Sequence, residues 1–291
     1  MADSTSPPPA ASKPTGPGKA RLDIATIGGI ALAMLGIIGG LLLEKGNIKD
    51  VAQITAAIIV LGGTFGATMV STPMSVLKRA MVGLMAVFTE PPASSKYLID
   101  EIIRFATKAR KNGLVSLENE CDEVPDLFLR KALTLAVDGT DLQEIRKMLE
   151  LEISLREHEA ASEAGVLESA GGFSPTIGII GAVMGLIQVM KNLANIEEVG
   201  HGIAVAFVAT VYGVALANIF LLPAATKMKA RNHRETMRQE LILEGVLAIV
   251  EGLNPKLIRS KLEAYDTPAP VKKAKAQPVH KTVEAAQPVE G

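Results

Sequence analysis

The sequence predicts an all-α integral membrane protein with four transmembrane helices, and two observations carry that reading. First, Asp, Glu, Lys and Arg are all absent from 24–43, 51–77, 169–190 and 202–226. A bilayer core about 30 Å thick takes about 20 residues of helix, whereas apolar runs of roughly 10–14 residues belong to ordinary core helices. Second, charge is displaced rather than scarce. The chain has 291 residues, 48% hydrophobic and 21% charged, with a mean hydropathy of +0.29. All 61 charged side chains fall in the 197 residues outside the four stretches, about 31% of that remainder. This apolar content excludes a disordered chain. A single cysteine, Cys121, excludes a disulfide framework and a cysteine-based metal site. Tryptophan is absent and aromatics are 3%, which leaves no stacking platform for single-stranded nucleic acid. A net charge of −1 implies no polyanionic partner.

Taken in order, residues 1–20 are rich in Pro, Ser and Ala and read as a disordered tail. The basic stretch and the Ala31-Leu32-Ala33 triplet suggest a signal peptide, but the apolar run continues to Leu43, too long for the core of one. Residues 22–77 hold spans 1 and 2. Residues 78–168 form a helical domain. Within it Tyr97–Lys111 places Leu98, Ile102, Phe105, Ala106 and Ala109 on one face, and Asn112-Gly113 stops that helix. Ser116 reads as the N-cap of a helix opening with Glu118 and Glu120. Thr140 or Asp141 begins another helix, Leu142 to about Glu168. Residues 169–226 hold spans 3 and 4. Residues 227–266 carry a helix from Lys227 to about Gly252, ended by Asn254-Pro255, and a short helix, Lys256–Ala264. Residues 267–291 read as a second disordered tail.

Loop charges set the orientation. Lys13, Lys19 and Arg21 precede span 1, Lys78 and Arg79 follow span 2, and Lys227, Lys229, Arg231, Arg234 and Arg238 follow span 4. The two short loops, Glu44–Asp50 and Lys191–His201, have no such excess. Basic loops stay inside, so both termini and the long middle segment are expected in the cytoplasm. Gly36/Gly40, Gly62/Gly66 and Gly181/Gly185 are G-x-x-x-G pairs, which let helix backbones approach closely.

No span contains a carboxylate, Lys, Arg or His. Intramembrane charges usually mark ion pathways. The polar groups present are Thr64, Thr68, Ser174, Thr176, Gln188, Thr210, Tyr212 and Asn218. Hydroxyls and amides line a wet path but do not take up and release a proton near neutral pH, so any titrating group on an ion path has to come from a partner chain. Pro175 and Pro223 both fall at the expected cytoplasmic edge of the bilayer. Each removes a backbone hydrogen bond, which makes a hinge; proline is also simply tolerated near helix ends. Phosphate-loop, zinc-protease and nucleophile-elbow motifs are absent, and His158, His201, His233 and His280 are scattered outside the spans. No enzyme, cofactor or metal is implied.

Several motifs together resemble the MotA/PomA family of flagellar motor stator subunits. They are Arg110–Glu118 (Arg-Lys-Asn-Gly-Leu-Val-Ser-Leu-Glu), Phe173–Ile187 around Pro175, Ala209–Gly213 (Ala-Thr-Val-Tyr-Gly), and Glu251–Ile258 (Glu-Gly-Leu-Asn-Pro-Lys-Leu-Ile). The resemblance covers about 22–265. It implies a torque-generating ion channel for motility and chemotaxis in the bacterial inner membrane. Five such subunits would surround a MotB-like, peptidoglycan-anchored partner whose aspartate supplies the missing acid, and they would push the rotor protein FliG. By resemblance, Arg110, Lys111 and Glu118 are rotor-contact charges, although bases ending one helix and an acid opening the next also suit helix dipoles. Pro175 and Pro223 are the family's coupling prolines. Thr210, with Ala182 and Tyr212, lines the ion path, although Thr210 also fits an ordinary interhelical contact. Sodium-driven members place a Thr seven residues after the first proline. Here that position is Ala182, and a methyl cannot replace a water of a sodium shell as an oxygen can. The resemblance therefore implies drive by the proton-motive force rather than sodium.

Two other readings exist. An ExbB/TolQ-like energiser of an outer-membrane system shares the two-span core but has only one span before its large cytoplasmic segment. A scaffold or transporter subunit would show internal repeats or mid-span binding groups, and neither is evident.

Overall fold

The computed structural model describes residues 21–90 and 95–266. The expected tails, 1–20 and 267–291, lie outside the described residues. Eleven α-helices follow one another among the described residues. The first span is α1, Ile24–Leu43, capped by Asp23, whose side chain accepts from the Thr26 N–H at 3.0 Å. A short turn, α2 (Ile48–Val51), leads to α3, Ile54–Ser71.

The second charge-free stretch is not one helix. Thr72 is extended (φ −134°, ψ 133°) and α4 restarts at Met74–Ala86. Proline disfavours the helical region for the residue before it, so Pro73 ends the span at Ser71, seven positions before the charges return at Lys78. Leu77 and Ala80 of α4 pack on Val166, and Gly83 lies against Met228 and Glu163. Val87, just past its end, packs on Ala164, Leu167, Ala225 and Met228. A helix of 13 residues is about 20 Å long, yet all these partners fall within about one turn of each neighbouring helix. α4 therefore crosses its neighbours transversely. A two-residue antiparallel ladder, β1 (Arg21–Leu22) with β2 (Thr89–Glu90), closes this collar with Arg21 opposite Glu90. It is the one departure from an all-helical fold among the described residues.

The polar head comprises α5 (Ser95–Asn112), a 3₁₀ turn (Leu114–Leu117), α6 (Glu118–Cys121) and α7 (Leu127–Val137). Ser116 does not cap α6. Gly113 turns the chain at φ 85°, the 3₁₀ turn follows, and the Ser116 hydroxyl donates back to the Gly113 carbonyl at 2.7 Å. Helix α7, which no periodicity had singled out, is capped by Asp126, which accepts from the N–H groups of Phe128 and Leu129 at 3.0 and 2.9 Å.

Helix α8 runs unbroken from Leu142 to Lys191, 50 residues and about 75 Å. The change from charged to charge-free sequence at 168–169 falls inside it, so the two helices expected there are one. Of the two N-cap candidates, Asp141 caps it. The return path is α9 (Ile196–Ala215), a π-helical segment (Leu216–Leu221) and α10 (Leu222–Val250), followed by α11 (Pro255–Asp266). α10 therefore begins inside the fourth charge-free stretch, not at Lys227. In the π segment the Leu222 N–H donates to the Ala217 carbonyl, an i→i+5 bond, and the segment ends just before Pro223, which has no N–H to give.

The largest core lies in the head. Phe105, Phe128, Leu133, Leu149, Leu247 and Ile258 from five helices are fully buried there. At the apolar end, large hydrophobics such as Ile58, Phe65, Ile180 and Phe207 are exposed. An inside-out surface of this kind belongs to a chain immersed in lipid.

Candidate functional site

Two places carry the residues the sequence singled out. The first is the crossing of α8 and α9. The side of α8 facing α9 is built from Ser174, Gly178, Gly181 and Gly185, all buried. A Cβ on Gly178 would lie 2.9 Å from the Ala209 carbonyl oxygen and 3.4 Å from the Thr210 Cα. One on Gly185 would lie 2.7 Å from the Gly202 oxygen, and one on Gly213 would lie 2.6 Å from the Ser174 oxygen and 3.2 Å from the Pro175 Cα. The backbones touch, as small residues allow. Of the three G-x-x-x-G pairs, Gly181/Gly185 makes such a contact, while Gly36/Gly40 and Gly62/Gly66 face open space within the single chain.

The structure brings Pro175 to Gly213 and the Thr210 backbone to Gly178, in the same crossing. The Ser174 hydroxyl, fully buried, donates to the Gly213 carbonyl at 2.8 Å. Ser174, Gly178 and Gly213 thus complete the surroundings of Pro175. In the sequence Ser174 stands out only as one of eight polar groups in the spans, and Gly178 and Gly213 only as members of the motifs 173–187 and 209–213. Spacing that keeps small residues at i, i+4 and i+7 after Ser174 was the available signal. Pro175 lies within α8 and Pro223 in the first turn of α10, directly after the π segment. Ala182 and Thr210 are half-buried. The Thr210 hydroxyl donates to the Ala206 carbonyl of its own helix at 3.3 Å, and Tyr212 donates to the Val51 carbonyl at 2.6 Å. Thr68, Thr176 and Asn218 likewise bond to carbonyls of their own helices. The buried Thr64 hydroxyl has no partner among the described residues. Nothing in this crossing titrates near neutral pH.

The second place is the tip of the head. Arg110 and Lys111 end α5, Glu118 opens α6, and all three are exposed. None makes an ion pair with a described residue. The basic residues one and two turns earlier on α5 are committed instead. Arg104 and Lys108 bind Glu120 at 2.7 and 2.6 Å, and the Lys108 hydrogen bond above all holds the Glu120 carboxyl below its ordinary range. The tip therefore presents three charges that no described residue neutralises, on a base clamped by paired charges.

Behind that tip Glu101 is buried, with one carboxylate oxygen unpartnered and Arg104 at 3.9 Å. Burial pushes its pKa up, against the pull of Arg104 and the Tyr97 hydrogen bond. A carboxyl whose folded pKa is raised weakens the fold as pH climbs from the ordinary glutamate value of 4.5 through the folded value. Glu101→Gln is expected to raise head stability by about 1 kcal/mol at neutral pH. The gain should vanish below the ordinary glutamate pKa. Thermal denaturation of both proteins across that range checks it. On α10, Arg238 pairs with Glu235 at 2.6 Å and with the capping Asp126; these carboxylates hold its proton more tightly than usual. This joins α10 to α7 beneath the tip.

No described group of His, Cys, Asp and Glu could hold a metal ion. What the fold and its two sites define is a multi-pass membrane protein with a closely packed, uncharged helix crossing and a charged helical head. Residues 120–241 match the MotA/TolQ/ExbB proton channel family, and residues 27–113 match the family described as Motility protein A N-terminal. Motility protein A of Helicobacter pylori is 34% identical over 253 residues, 87% of this chain and 98% of that protein. The structure of C. jejuni MotAB superimposes with a TM-score of 0.81 at 33% identity, covering 85% of this chain and 98% of that one. The flagellar MotAB stator complex from Bacillus subtilis gives a TM-score of 0.79 at 34% identity, covering 85% and 97%. The chain belongs to the motility protein A family.

Proposed function

We propose that this chain is the channel-forming, torque-generating subunit of a proton-driven flagellar stator in the bacterial inner membrane, with both termini cytoplasmic. The observation that supports it best is the uncharged crossing of α8 and α9. Its hydroxyls are largely spent on neighbouring carbonyls and no span holds a carboxylate, Lys, Arg or His to carry a proton near neutral pH. The proton carrier then comes from a second polypeptide, a MotB-like subunit anchored to peptidoglycan, which several copies of this chain surround, five by family resemblance. A proton crossing about 150 mV releases about 3.5 kcal/mol. Movement at Pro175 and Pro223 passes that energy to the head, where Arg110, Lys111 and Glu118 push on charges of FliG. The match of 27–113 to the motility protein A N-terminal family disfavours an ExbB/TolQ-like energiser.

The test is co-expression with a candidate partner in a strain lacking stators. Swimming should be restored, and Arg110→Glu should reduce it at least about tenfold at unchanged membrane level, since reversing one charge at a rim costs about 1.4 kcal/mol or more. Full swimming of Arg110→Glu would remove the rotor contact from the tip. Ion type is tested separately. With Ala182 in place of a hydroxyl, swimming speed should be indifferent to external sodium at a fixed proton gradient. Speed that tracks sodium would overturn proton drive.

A further inference from the structure

Helix α1 buries none of its residues against the rest of the chain, yet its inner end is held by a polar cluster. Asp23 is 7% exposed. One carboxylate oxygen caps α1 through the Thr26 N–H at 3.0 Å, and the other accepts from the Lys227 ammonium, which also donates to the Thr26 hydroxyl. The Asp23 N–H donates to the Phe88 carbonyl at 3.0 Å. One residue thus joins the start of α1, the end of the α4 collar and α10. One turn further along α10, Arg231 donates to the Ala86 carbonyl of the same collar.

The place on α10 matters. Lys227 follows Pro223 by four residues, one helical turn on the same face. Pro223 lacks an N–H and the π segment ends beside it, so the backbone ladder is interrupted one turn before Lys227. A turn beyond a hinge is where a contact decides which way the distal arm can swing. A buried ion pair adds little net stability over apolar residues, and its better-attested use is to specify one arrangement. The acid is also not needed as an acid for capping, since Asn caps as well.

We infer that Asp23 and Lys227 form a positioning pair that fixes the α10 arm, below the Pro223 hinge, to α1 and the α4 collar during torque generation. The pair acts through Pro223 and touches neither the ion nor the rotor. The inference rests on the stator reading above. The full chain is co-expressed with its partner in a stator-less strain, and rotation speed is measured beside partner recovery on co-purification. Asp23→Asn keeps the cap and loses the charge, and Lys227→Met keeps the stem and loses the charge. Both are expected to slow rotation at least about fivefold, as breaking a contacting pair does, with partner recovery unchanged. Lys227→Arg keeps the charge and should rotate at close to the parental speed. Parental speed in Asp23→Asn and Lys227→Met overturns the inference. So does slow rotation accompanied by loss of the partner, which would make the pair a structural staple. If the unaltered chain itself fails to restore swimming, the stator reading falls, and the inference with it.

Discussion

Gly213→Ala is expected to abolish swimming and to lower the yield of assembled complex. The added Cβ would meet the Ser174 carbonyl oxygen at 2.6 Å, the Gly178 Cα at 3.1 Å and the Pro175 Cα at 3.2 Å. All three are backbone atoms, so no side chain can rotate away. The helices would have to separate, which breaks the 2.8 Å bond from Ser174 to the Gly213 carbonyl and leaves a buried hydroxyl unpaired. Overpacking costs about 1–3 kcal/mol where side chains can adjust, and two backbones in contact adjust less. Gly165→Ala is the control. It lies in the same helix system with nothing within 4 Å of the new Cβ, and alanine is favoured over glycine in a helix by about 1 kcal/mol. It should swim normally and melt slightly higher. Normal swimming of Gly213→Ala would mean that the crossing opens freely and that its closeness is not required.

Pro175→Ala should separate stability from function. Proline within a helix costs about 3 kcal/mol relative to alanine, because it withholds an N–H from the carbonyl of Gly171 and crowds that turn. Alanine restores the bond within a helix that is already continuous across this position. The variant is expected to be as stable as the parent or more so, yet to rotate far more slowly because the flexible point of α8 has been stiffened. Thermal melting and rotation speed, measured on the same preparation, check the two halves. A variant that is both more stable and equally fast would show that Pro175 is merely tolerated where it stands.

The four candidate spans were legible because they follow from charge alone, and charge is read residue by residue. Helix α1 coincides with the first charge-free stretch, 24–43. Charge was a poorer guide to where a helix ends. It ran span 2 through to residue 77, whereas the conformation of Thr72 ahead of Pro73 stopped the helix at Ser71. It also hid α4, because the apolar first turn of that helix merged with the span before it. Helix α7 was missed because, although Phe128, Leu129, Ala132, Leu133 and Ala136 repeat at helical spacing, its opposite face also carries apolar Leu127, Leu135 and Val137, which blur the contrast that marked α5. The signal lay instead in Asp126, a capping residue directly after a proline.

At the functional site, the sequence by itself determined composition: no carboxylate, Lys, Arg or His in any span, two prolines at the edges, and three charges around a glycine turn. These hold whatever the chain folds into. Tertiary structure alone decided adjacency. It placed Gly213 against Pro175 and Thr210 against Gly178, left Arg110, Lys111 and Glu118 without an ion pair among the described residues while Arg104 and Lys108 were tied to Glu120, and brought Asp23 to Lys227 from more than 200 positions away. The physical reason is that charge and backbone donors belong to single residues, whereas a close approach or an ion pair belongs to two elements at once. Which elements meet is settled by how small residues let long helices cross.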